Sequence, residues 1–303
     1  MLTEEYVISD EQIKLYHSQG YIGVENVLSD EEVNDLRRVT SEFIEKSRAV
    51  TESDDVFDLE PEHSPDNPQL RRIKNPFKQH PVYNASLHHE RILAIVSQLI
   101  GYGLRCNGHK LNLKLDKLGS PVQWHQDWAF YPHTNDDLLA VGVAIDDMTT
   151  ENGCLMVIPG SHRGKIYSHH QNGIFIGAIT DPEFKPEGAV PIELKAGGIS
   201  IHHVRMLHGS AINTSDEPRR LLLAQYCALD AWPIITLGKA NEALEQFKGE
   251  IVQGELTTEP RLTKVPVRIP APGSGDGKPT SIYHQQLELE NPTIEIKDSQ
   301  RVT

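Results

Sequence analysis

The residues best suited to chemistry are His125 and Asp127, in the run Trp124-His125-Gln126-Asp127, together with His208 far downstream. On an extended segment successive side chains alternate sides, so residues two apart share a face. An imidazole and a carboxylate on one face, joined by an imidazole from a distant strand, form a 2-His-1-carboxylate facial set. Such a set suits non-haem Fe(II) and leaves positions open for a cosubstrate and O2. Fifteen histidines make a chance His-x-Asp easy to find, so the neighbours decide its weight. Trp124 and Trp128 flank it, which argues against a solvent loop. The stretch 197–210 reads as a strand that delivers His208. Arg219 follows at the start of the next strand, where its fork can hold a carboxylate with two bonds. A 2-oxoglutarate cosubstrate needs a distal arginine of this kind.

These residues must be carried by strands. From His109 onward the pattern has period two, with Lys110, Asn112 and Lys114 on one face and Leu111, Leu113 and Leu115 on the other. Further strands are expected over 122–128, 138–146, 154–158, 174–179, 190–194, 199–204 and 221–229, with Gly, Pro and Asn between them. About eight short strands separated by turns predict a double-sheet jelly roll rather than a parallel α/β sheet. The fold class is mainly β with flanking helices. Upstream, Ser9-Asp10-Glu11-Gln12 and Ser29-Asp30-Glu31-Glu32 have capping-box spacing and open two helices, the first stopping near Gly20. A third helix is expected over 87–100, and 51–69 is expected to be an exposed acidic loop. The division is a single domain over 1–303: helical support and a substrate-side loop over 1–108, the core over 109–230, and an extension over 231–303 as a candidate lid.

The chain is acidic, with a formal net charge of -14. That argues against nucleic acid or an anionic membrane as partner. Three widely spaced cysteines form neither a metal knuckle nor a disulfide framework, which predicts a reducing, cytoplasmic setting. The N-terminus lacks the pattern of a signal peptide, and the longest apolar run is too short to span a bilayer. Nothing in the sequence fixes the oligomeric state.

Taken together, His125-x-Asp127, the run Asn152-Gly153-Cys154-Leu155-x-Val157-Ile158-Pro159-Gly160-Ser161-His162, and His208-Gly209-Ser210 followed by Arg219 resemble the phytanoyl-CoA dioxygenase family of Fe(II)/2-oxoglutarate oxygenases. The resemblance covers about 6–231. It implies a double-stranded β-helix core with iron, 2-oxoglutarate and O2. By position, His125, Asp127 and His208 match the family's iron ligands, and Arg219 matches the arginine that pairs with the C5 carboxylate of 2-oxoglutarate. Asn112 and Ser210 match positions that contact the cosubstrate in the related ectoine hydroxylases. The implied reaction hydroxylates an unactivated C–H of a small molecule while 2-oxoglutarate is converted to succinate and CO2. The presence of Asp127 favours hydroxylation, because halogenases of this superfamily commonly lack the carboxylate. Desaturation, epoxidation or cyclisation by the same chemistry is the alternative, and a metal-binding jelly roll without catalysis is the rival from another class.

Two departures separate the chain from the phytanoyl-CoA hydroxylases. A tryptophan that lines their cosubstrate pocket is Val143 here, and the part after about Trp232 has no counterpart. The substrate side is read from the chain itself. Lys110, Phe130 and Tyr131 suggest an aromatic-lined cavity with a cationic anchor, and Arg71 and Arg72 add charge at its entrance. These residues lean toward a substrate bearing a carboxylate or phosphate. Of His202 and His203 one must face inward, more as a supporting histidine than as a ligand, and Arg220 should point to the sheet face opposite Arg219.

Overall fold

The computed structural model describes residues 7–115, 117, 119–235, 240–269 and 282–296. Both capping boxes form. Ser9 opens the helix Asp10–Gln19, which Gly20 ends in the left-handed region at φ 84°. Ser29 opens the helix Asp30–Ser47, whose Val33, Leu36, Val39 and Phe43 are buried. The third helix forms as Glu90–Ile100, starting three residues later than expected because His89 takes an extended conformation and becomes its N-cap; a separate helix, Pro81–Leu87, precedes it.

The helices cover one face of a large antiparallel sheet of eight strands. In spatial order seven of them are Tyr21–Val24, Ile199–His203, Leu138–Ala144, Arg219–Ala228, Leu104–Lys114, Leu70–Lys74 and Phe57–Leu59. The eighth, Ile251–Gln253, also pairs with Leu104–Lys114. A second sheet runs Val190–Ile192, Leu155–Val157, His208–Ser210 and Val122–His125. This is a jelly-roll core, and its small sheet carries both candidate imidazoles. On the outer face of the large sheet, Leu111, Leu113, Val141, Val143, Ile201 and Leu222 pack against Val33, Leu36, Ile92 and Ile95 in one apolar cluster. Burial of such side chains stabilises by about 1.5–3 kcal/mol each.

Four readings change here. Residues 51–69 are not a plain exposed loop: Phe57–Leu59 is a buried strand, and Glu60 is buried beside it. The basic cluster is the next strand, Leu70–Lys74, so its side chains alternate between faces. The period-two strand starts at Leu104 rather than His109, with mixed polar residues and Gly108 masking the pattern. Val143 is not a pocket residue. It lies on the helix-covered face, because alternation along 138–144 turns Ala140 toward the interior of the barrel and Val143 away from it.

Candidate active site

His125 ends its strand, Gln126 is still extended, and Asp127 begins a short 3-10 turn. The i, i+2 relation therefore survives although the strand stops short of Trp128. Gln126 points the opposite way and fastens the motif from behind. Its amide donates to the carbonyls of Lys165 and Arg205 and accepts from the backbone N–H of Tyr167. His208 sits directly across the sheet from His125. The Pro-Gly-Ser-His turn explains part of the sequence motif: Gly160 adopts φ 76° and the Ser161 hydroxyl accepts from the N–H of Leu207, next to His208. His162 is spent on that turn and does not reach the site; its Nε2 meets the carbonyl of His17.

The three side chains converge. One donor atom from each of His125, Asp127 and His208 lies within 4.8 Å of the others, and all three residues are buried. His125 Nε2 is 3.8 Å and His208 Nε2 3.9 Å from Asp127 Oδ1. Each imidazole is oriented from its far side, Nδ1 of His125 donating to the carbonyl of Gln123 at 2.7 Å and Nδ1 of His208 to that of Met206 at 3.0 Å. That fixes the tautomer which leaves Nε2 as a lone-pair donor. Burial pushes the His125 pKa down to about 4 and holds that of His208 well below its ordinary value, so both rings are neutral at pH 7. Burial opposes charge on Asp127, but the polar groups around it, the Lys110 ammonium among them, outweigh it and hold its carboxyl well below the usual range. Two neutral imidazoles and one carboxylate, converging on a point, fit a divalent iron.

The interior cavity, about 60 Å³, is lined by the three donors and by Asn112, Ser210 and Arg219. Arg219 is 2% exposed, yet its Nε has no hydrogen-bond partner among the described residues. No carboxylate among them is within ion-pair reach of it, and a buried guanidinium in that state suits an anionic ligand. Lys114, its cross-strand neighbour, is committed to the carbonyl of Ala211. Asn112 accepts from Nε of Arg72 at 3.2 Å. Arg220 faces the other way, as expected, and binds Asp146 through two nitrogens.

The expected substrate residues divide. Lys110 and Arg72 line the cavity. Burial first, and then the neighbouring Arg72, lower the Lys110 pKa to about 8, with Asp127 opposing. Arg71 is on the opposite face of its strand, 1% exposed, and paired with Glu60 at 3.0 Å. The two neighbours part because strand residues alternate. Phe130 and Tyr131 do not line the cavity. Phe130 packs edge-on against His125 and Phe175, and the Tyr131 hydroxyl accepts from the amide of Gln225. The wall is therefore aliphatic and polar, with Val122, Leu155, Leu221, Leu223 and Ile282 in place of aromatic rings. His202 is the inward member of its pair and lines the cavity, and Gln225 lies there too. Neither has a sequence signature beyond its place in a strand.

Ile282 comes from the extension. Its helix Ile282–Leu287 sits at the barrel mouth, where Gln286 accepts from the N–H of Gln123 at 2.9 Å and donates to the carbonyl of Gly177 at 2.8 Å. The Gln123 side chain in turn donates to the carbonyl of Ile294 and accepts from its N–H. The guanidinium groups of Arg71 and Arg72 lie over the Tyr283 ring, 5.0 and 5.1 Å from its centroid. Residues 270–281, just before this helix, lie outside the described residues. No described helix is long and apolar enough to cross a membrane, and the three cysteines are free and buried.

A jelly roll with two imidazoles, one carboxylate and a lone buried arginine around one cavity defines a non-haem iron dioxygenase that uses 2-oxoglutarate and O2. Within that class the chain belongs to the phytanoyl-CoA dioxygenase family, whose model matches residues 16–221. It is 34% identical, over 92% of this chain and 97% of the relative, to a probable alpha-ketoglutarate-dependent hypophosphite dioxygenase of Stutzerimonas stutzeri. Among solved structures it is similar to iron-bound EctD of S. alaskensis, at 25% identity and TM-score 0.62 over 76% of this chain and 80% of that one. It is also similar to EvdO2 of Micromonospora carbonacea var. aurantiaca complexed with 2-oxoglutarate, at 27% identity and TM-score 0.57 over 73% and 91%.

Proposed function

We propose that this dioxygenase oxidises a small oxyanion, with hypophosphite as the first candidate, and that His125, Asp127 and His208 hold its iron. The observation that carries the substrate class is the charge of the cavity. Arg72, Lys110 and Arg219 line it against the single carboxylate of Asp127. A divalent metal and a doubly charged 2-oxoglutarate cancel each other, which leaves an excess of about two positive charges in a small, largely buried space. An anionic substrate offsets that excess, and a neutral one does not. The similarity to a hypophosphite dioxygenase points to the same class.

In this reading each residue has a defined task. Iron, when bound, supplies the activation of O2 that no side chain can perform. Arg219 grips the C5 carboxylate of 2-oxoglutarate with Ser210 and Asn112 beside it, and Lys110 with Arg72 holds the oxyanion. Ile282 and the surrounding aliphatic wall keep water out, which strengthens every one of these contacts. The balanced reaction converts 2-oxoglutarate, O2 and hypophosphite to succinate, CO2, phosphite and one proton, one atom of O2 going to succinate and the other to phosphite. Reconstitution with Fe(II), followed by phosphorus NMR and succinate determination, tests it. Equal amounts of phosphite and succinate are expected. Stimulation of 2-oxoglutarate turnover by neutral or cationic compounds alone would overturn the anion assignment.

A further inference from the structure

We propose that His202 is a substrate-anchoring residue that donates a ring N–H to an oxygen of the bound oxyanion. The inference rests on the anion reading above and deepens it. Register across the large sheet sets His202 opposite Ala140, Ala140 opposite Gln225, and Gln225 opposite Gly108. All four line the cavity. They form one row across the floor in the order His202, Ala140, Gln225, Gly108, with a polar arm on either side of Ala140.

The two arms are not equivalent. Gln225 is satisfied, because its amide donates to the Tyr131 hydroxyl and, at 3.4 Å, to Asp127 Oδ2. His202 is 2% exposed, and neither ring nitrogen has a hydrogen-bond partner among the described residues. Its Nε2 is 3.7 Å from Asp127 Oδ2, which is too far for a hydrogen bond. Its ring centroid is 4.4 Å from that of His208. The metal-facing nitrogens of His125 and His208 close around Oδ1 of Asp127, so His202 stands beside the other oxygen and outside the donor set. Buried polar groups are almost always paired. The ring lines the cavity, and an imidazole always carries at least one N–H for an acceptor there. An oxyanion offers only acceptors at neutral pH, which matches Lys110, Arg72 and an imidazole N–H as its surroundings.

The test uses the full chain loaded with Mn(II) and 2-oxoglutarate, so that binding is read without turnover. Calorimetry gives the affinities of Mn(II), 2-oxoglutarate and hypophosphite for the parent, His202→Leu and His202→Gln. His202→Leu is expected to keep its Mn(II) and 2-oxoglutarate affinities and to bind hypophosphite about tenfold more weakly, as for one lost hydrogen bond to a charged group. His202→Gln, which restores an N–H, is expected to recover most of that loss. Hypophosphite affinity in His202→Leu within about twofold of the parent would overturn the proposal. So would a loss of Mn(II) affinity in step with that of the anion, since His202 would then act through Asp127 or His208. If His202→Leu does not fold, nitrogen-15 NMR of the Zn(II)-loaded parent decides: a shift of a His202 ring nitrogen on adding hypophosphite supports the contact, and no shift overturns it. A parent that binds neither hypophosphite, phosphite nor acetate removes the anion reading itself, and His202's role with it.

Discussion

Replacing Arg219 by Met separates its cost to the empty protein from its value to the loaded one. The guanidinium is buried with an unsatisfied Nε and no carboxylate partner among the described residues. A charge in that position is destabilising until a counter-ion arrives. Met keeps much of the volume and removes the charge, so the cofactor-free variant is expected to melt higher than the parent. A gain of about 1 kcal/mol corresponds to roughly 2–4 °C for a chain of this order of size. With 2-oxoglutarate the order inverts. A bidentate pair of charge-assisted bonds, at about 1.5–3 kcal/mol each, makes the loss of cosubstrate affinity on the order of 10² to 10⁴. At one hundred times its Kd the cosubstrate stabilises the parent by about 2.7 kcal/mol and the variant by almost nothing. Lys114 cannot stand in, because its ammonium is held by the Ala211 carbonyl. Differential scanning fluorimetry of both proteins, with Mn(II) present and 2-oxoglutarate titrated, shows the crossing directly. A variant that binds 2-oxoglutarate within about threefold of the parent would refute Arg219 as the carboxylate partner. A large drop in melting temperature without cosubstrate would refute the unpaired-charge argument.

Three further outcomes follow from the same geometry. Asp127→Ala removes the one anionic donor, so iron content after anaerobic loading and substrate-dependent succinate formation should both fall by at least about a hundredfold, measured by a ferrozine assay and by chromatography. Lys110 has a pKa lowered to about 8. Its ammonium is present below that value and lost above it, so KM for the oxyanion should rise between about pH 8 and 9 while KM for 2-oxoglutarate moves less; a flat profile in steady-state assays would count against Lys110 as the anchor. Buried His133, His169 and His203 have pKa values near 3, depressed chiefly by burial. They stay neutral in the folded state but take up protons near 6.5 when unfolded, so their contribution is full above about pH 6.5 and is lost progressively as pH falls toward 3. Urea unfolding at pH 7.5 and pH 5 should show the lower midpoint at pH 5.

What could be read in the sequence was what depends on short spacing. The two capping boxes, the i, i+2 pair of His125 and Asp127, and the alternation that places Arg219 and Arg220 on opposite faces all act within a few residues, and all hold in the structure. Arg71 and Arg72 show the limit. Only the hidden strand Phe57–Leu59 and the buried Glu60 reveal which of the two faces the cavity. Phe130 and Tyr131 were reasonable pocket candidates by proximity in the chain, but the 3-10 turn at Asp127 swings both out of the lining. His202 and Gln225 became visible only when cross-strand register put them in one row. The role of the segment 282–294 depends on contacts with Gln123 across more than a hundred and sixty residues, which no local pattern encodes.

Gln123 joins two things that otherwise look separate. Its backbone carbonyl orients the imidazole of His125, while its side chain and N–H are held by Ile294 and Gln286. During synthesis the strands that carry the site residues are complete at Ala228, well before those two residues exist. The imidazole is thus seated in a young chain before the grip behind it has formed.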